Sequence, residues 1–142
     1  MTMIEIISGE KGKGKTKELL NRVNASVSAA SGNLVYLDKS QKHMYELNNK
    51  IRLINVKDFL IDNCDEFLGF ICGILSQDHD LEEMYLDSFL TIAAIDSDEL
   101  LNHAIQKLDM ISEKYNVKFI LSISKNEDEL TDLAKAKVVI SL

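Results

Sequence analysis

Short apolar runs alternate along the chain with longer stretches whose apolar residues return every third or fourth position. Residues 3–7, 34–37, 51–56, 81–86, 117–124 and 137–142 are runs of the first kind and read as strands. Between them, Leu19, Leu20, Val23, Val27 and Ala30 share one face of a helix that Ser31-Gly32-Asn33 can end. Leu60, Cys64, Phe67, Leu68, Ile71 and Leu75 mark a helix over 58–76, and Leu101, Ala104, Leu108 and Ile111 mark another that Asn116 can close. The polar stretch 39–50 is expected to include a short helix, and Asn126 with Glu129 offers a capping box to a last one. Strands that are apolar throughout and alternate with helices predict a three-layer α/β/α fold with a mainly parallel central sheet. Ligands of such sheets bind beyond the carboxyl ends of the strands, which directs attention to Asp38, Asp87, Ser122, Ser124 and Lys125.

The first run leads into the octapeptide Gly9-Glu10-Lys11-Gly12-Lys13-Gly14-Lys15-Thr16, and a helical pattern follows it. Strand, Gly-x-x-x-x-Gly-Lys-Thr and helix form the phosphate-binding loop in its required setting. Gly9, Gly12 and Gly14 permit positive φ and keep side chains off the concave side, so that backbone N–H groups converge on an anion at the positive end of a helix. Lys15 is expected to reach the β and γ phosphates of a nucleotide and Thr16 to ligate Mg2+. Lys11 and Lys13 are read as further nucleotide contacts or as solvated loop lysines.

Tyr85-Leu86-Asp87 resembles the second nucleotide motif of the P-loop superfamily, a strand ending in an acidic residue that holds Mg2+. Val35-Tyr36-Leu37-Asp38 resembles the second strand of its RecA-like ATPases, a likeness that implies that the Asp87 strand does not abut the strand before the loop. The chain as a whole is similar to small stand-alone ATP-binding proteins of Gram-positive bacteria that are labelled after twitching-motility ATPases. The resemblance implies ATP and Mg2+ as cofactors, with Asp87 on the metal. Many hydrolysing members carry a Glu after that Asp, whereas Ser88, Phe89 and Leu90 follow here, so Asp38 on the neighbouring strand becomes the candidate to orient water. Other branches fit less well. The GTPase Asn-Lys-x-Asp motif is absent, Glu10 stands where ParA-like loops have Lys, and the two arginines, Arg22 and Arg52, are few for a nucleotide kinase. Gly12-Lys13-Gly14-Lys15-Thr16 also resembles the loop of ATP:corrinoid adenosyltransferases, which keeps a transferase in view.

With 142 residues the chain is read as a single nucleotide-binding domain over 1–142. Its net charge of −7 is unevenly spread: residues 1–57 carry +5, residues 58–106 carry −12 with no Lys or Arg, and residues 107–142 are balanced. Such acidity disfavours general nucleic-acid binding. The acidic middle is either a set of solvated helix faces or a docking surface for a basic protein partner or another copy. Cys64 and Cys72 lack metal-ligand spacing and are expected to be buried thiols, and His43, His79 and His103 form no motif. Without a membrane span or a signal-peptide pattern, a cytoplasmic location is expected. The expected function is ATP binding with Mg2+ and slow or partner-dependent hydrolysis, as a switch or regulatory ATPase. The alternative is a P-loop transferase, corrinoid adenosyltransferase-like or a nucleoside kinase.

Overall fold

The computed structural model describes residues 3–142. Strands β1 (Ile4–Ser8), β2 (Asn33–Asp38), β3 (Arg52–Asn55), β4 (Leu81–Leu86), β5 (Lys118–Ile123) and β6 (Val138–Ser141) form one sheet in the order β3-β2-β4-β5-β1-β6. Every pairing is parallel. Helices α1 (Lys15–Val27), α2 (Cys64–Gln77), α3 (Phe89–Ile92), α4 (Asp98–Tyr115) and α5 (Asp132–Lys135) complete it. The expected three-layer α/β/α class holds. β5 lies between β1 and β4, the separation that the RecA-like resemblance implies.

Alternation along the strands divides the apolar residues between two cores. Leu34, Tyr36, Tyr85, Ile120 and Ile7 face α1 through its Leu19, Leu20 and Val23. Val35, Leu37, Met84, Leu86, Phe119 and Leu121 face the other way, onto Phe67 and Ile71 of α2 and Ala104 and Leu108 of α4. Strands covered on both faces call for apolar side chains at most positions, which is why β2 and β5 read as nearly unbroken runs, whereas the edge strands β3 and β6 are partly exposed. Register then fixes the upper edge: Leu37 pairs with Leu86 and Leu86 with Leu121, so Asp38, Asp87 and Ser122 come next at one level on three adjacent strands.

The helices depart from the sequence pattern where local chemistry intervenes. α1 stops at Val27, short of Ala30, where the Ala29 amide tightens onto the Ser26 carbonyl in an i→i−3 bond. The helix expected from 58 starts at Cys64, where the Asn63 side chain accepts the Glu66 N–H at 2.9 Å. Ahead of it lies a 3-10 turn, Val56–Phe59, which Leu60 ends at φ 58°, so Leu60 is exposed and packs in no core. Cys72 is also exposed, on the solvent side of α2 beside Gly69 and Gly73, and only Cys64 is the buried thiol expected. α3 follows Ser88, whose φ of 57° no pattern in the sequence signals.

Gly32 precedes β2 where two segments meet. Its N–H donates to Glu82 Oε1 at 2.7 Å, and a Cβ on it would fall inside contact distance of the Asp80 carbonyl oxygen and the Glu82 side chain. Backbone cannot move aside as a flexible side chain can. Gly32→Ala is therefore expected to lower stability by about 1–3 kcal/mol, the usual cost of overpacking, read as a fall in the urea midpoint with an unchanged slope.

Candidate functional site

Six residues connect β1 to α1, and two of them need glycine's freedom: Gly12 at φ 86° and Gly14 at φ 96°. Left-handed backbone costs other residues roughly 1–2 kcal/mol each. Gly14 is the N-cap of α1, and no side chain caps this helix, whereas Asn63, Ser97 and Thr131 cap α2, α4 and α5. The first hydrogen bond of α1 runs from Glu18 N–H to the Gly14 carbonyl. The amides before Glu18 are thus not used by the helix.

Across from the loop, two of the three aligned strand ends, Asp87 and Ser122, join one hydrogen-bonded group with Tyr36 and Thr16. Asp87 is buried, and both of its carboxylate oxygens accept: Oδ1 from Ser122 Oγ at 2.9 Å and Thr16 Oγ1 at 3.2 Å, Oδ2 from the Tyr36 hydroxyl at 2.7 Å. Ser122 Oγ in turn accepts the Ser88 N–H at 2.8 Å, which holds the left-handed turn after Asp87. Thr16 lies in the first turn of α1, directly after the loop, so this carboxylate ties the start of α1 to the sheet. Asp38 is also buried; its Oδ1 accepts the Lys39 N–H at 2.7 Å, and its Oδ2 has no hydrogen-bond partner among the described residues.

Above these ends lies a cleft of about 600 Å³. Lys11, Gly12, Gly14, Lys15 and Thr16 line it from the loop, and Asp38, Asp87, Ser122 and Ser124 from the strands. Two of the proposed loop contacts are not brought to it: Lys13 points to solvent, and Gly9 sits behind, where a Cβ would come within 3.1 Å of Leu142 Cβ. Lys125 reaches Asp98 at 3.7 Å instead. Glu82 and Glu83 lie at the opposite end of β4, where they accept from Ser31 and from the Tyr85 hydroxyl. Tyr36 is an Asp87 partner the sequence hides, since its spacing reads only as a core aromatic. Lys39, Lys42 and His43 also line the cleft, gathered there by the chain's turn out of β2.

Burial sets the electrostatics. The Lys15 ammonium donates to the Glu10 carbonyl at 2.8 Å, and its burial pulls its pKa down, against the pull of Asp87. Burial, with Asp87 next to it, pushes the Asp38 carboxyl above the usual range, and the Lys39 amide only partly offsets this. The Tyr36 phenol is pushed well up, first by burial and then by Asp87, so it is a hydrogen-bond donor at any physiological pH.

Neither a scan of protein-family models nor a search of curated proteins returns a match.

The Asp38 shift has a sign that stability can report. A carboxyl whose folded pKa is raised binds its proton more tightly folded than unfolded, so stability falls as pH rises from the unfolded value through the folded one. Asp38→Asn keeps the acceptor for Lys39 N–H without the charge. It is expected to raise the urea midpoint at neutral pH, with the gain shrinking as pH falls toward the ordinary carboxylate value of about 4.

Proposed function

We propose that the chain binds ATP with Mg2+ in this cleft and, alone, hydrolyses it slowly, so that it works as a nucleotide-dependent switch. The observation that carries this reading is the meeting of Thr16 Oγ1 with Asp87 Oδ1 at 3.2 Å, beside a glycine loop whose helix lacks a side-chain cap. A hydroxyl and a carboxylate so placed suit a cation that takes its other ligands from phosphate oxygens and water, the usual habit of Mg2+. When bound, Mg2+ would supply neutralisation of charge on the terminal phosphates. Loop amides would hold the phosphates, and the Lys15 ammonium would exchange the Glu10 carbonyl for phosphate oxygen. The loop's sequence and the position of β5 between β1 and β4 support the P-loop, RecA-like assignment.

Slow turnover follows from what stands around the terminal phosphate. Ser88 follows Asp87, so the other carboxylate lining the cleft, Asp38, whose Oδ2 has no partner among the described residues, is the one to orient water. Cations lining the cleft are lysines, without an arginine, and an arginine finger is worth about 10³–10⁵ in rate.

Lys15→Ala is expected to weaken MgATP binding by at least about tenfold, the loss of one charge-assisted contact of roughly 1.5–3 kcal/mol, with an unchanged circular dichroism spectrum. Equal affinity in titration calorimetry would reject the assignment of the loop.

The purified wild type is expected to release phosphate far below the enzyme median of about 10 s⁻¹. Any residual turnover should fall more than binding does in Asp38→Asn, whereas Asp87→Asn should also damage Mg2+-dependent binding. Rapid hydrolysis without a partner would reject the switch, and rapid transfer to a corrinoid or a nucleoside would establish a transferase in its place.

A further inference from the structure

We infer that a second copy of this chain docks head to tail on the first, the apolar knuckle at Phe59 and Leu60 of one copy seating on the basic segment around Met44 and Tyr45 of the next. Large apolar side chains in water are informative when they cluster, and two such clusters occur here. In the first, Leu60 is 85% exposed and Phe59 53%, with the Phe59 ring 5.2 Å from that of Phe70. Leu60 holds φ 58°, a left-handed backbone unfavourable for leucine, while its side chain contributes to no core. In the second, Tyr45 is 91% exposed and Met44 43%. This segment is not loose: Asn24 of α1 donates to the Glu46 carbonyl at 2.8 Å and accepts the Asn48 N–H at 2.9 Å.

The rims have opposite sign. Asp58, Asp62, Asp65 and Glu66, all exposed, flank the knuckle in sequence and open the stretch that holds no Lys or Arg as far as Gln106. Lys57 is the cation at its edge. The second cluster follows Lys39, Lys42 and His43 and precedes Lys50, and its carboxylate, Glu46, is engaged by His43 Nδ1 at 3.2 Å. An apolar tip flanked in sequence by acids and an apolar tip flanked by Lys42, His43 and Lys50, the first two also at the cleft, complement each other in both respects, and such charge complementarity fixes register and partner. Each tip is exposed in its own copy, so neither covers the other within one chain. The two surfaces differ, which makes the contact heterologous and able to propagate or close into a ring.

Sedimentation velocity of the full chain at tens to hundreds of micromolar tests this without any nucleotide, so its outcome is separate from that of MgATP binding. Wild type is expected to self-associate, less so as salt rises from roughly 0.01 M to 1 M and the Debye length falls from about 30 Å to 3 Å. Leu60→Asn suits the left-handed backbone, and Tyr45→Ser changes an exposed side chain, so both variants should fold. Each alone should lower the association constant at least about tenfold, roughly 1.4 kcal/mol. An equimolar mixture of the two should regain a dimer, since each retains one intact surface. A monomeric wild type at both salts, either variant associating as wild type does, or a mixture that stays monomeric would overturn the proposal.

Discussion

The Asp87 carboxylate is buried, and that single fact constrains everything near it. A buried carboxylate must find in the protein the hydrogen bonds that water would give. Here the donors are three hydroxyls from three elements: Thr16 from α1, Tyr36 from β2 and Ser122 from β5. For these to meet, β2, β4 and β5 must be in register, the glycine loop must turn α1 onto the sheet, and the chain after Asp87 must bend through Ser88. Loop, sheet and turn are therefore parts of one electrostatic arrangement.

Such an arrangement costs stability at the upper edge of the sheet. Gly12 and Gly14 hold positive φ, Lys15 is buried against its preference for water, and Asp38 keeps a buried carboxylate oxygen without a partner among the described residues. The two large cores on either side of the sheet offset these costs, and the tension between them lies at the strand ends, where strain tends to collect in proteins that bind ligands.

Legibility in the sequence followed the range of the interaction. The glycine loop could be read because its glycines, Lys15 and Thr16 act within eight residues, and the strands because burial on both faces leaves a continuous apolar run. Strand-end acids were legible as positions, since β2 and β4 each close on Asp. What escaped was set by tertiary register or by positive φ. Tyr36 reads as one more core aromatic until Asp87 is placed beside it, and His43 forms no motif although its ring lines the cleft. Leu60 fits a helical repeat perfectly well, but the backbone turns left-handed at it and the repeat restarts at Cys64. Cys72 fell on the polar side of α2 because hydrophobicity alone does not assign a residue to a face.

The contacts on Asp87 also join parts of the chain far apart in sequence: Thr16 lies 71 residues away, Tyr36 51 and Ser122 35. Parallel sheets close through such non-local pairings, whose loop-closure entropy must be met before the contacts form. No fragment ending before β5 can hold Asp87 in its completed setting. A nascent chain can thus complete the setting of Asp87 only once β5 has joined the middle of the sheet, which makes the upper edge a property of the finished fold.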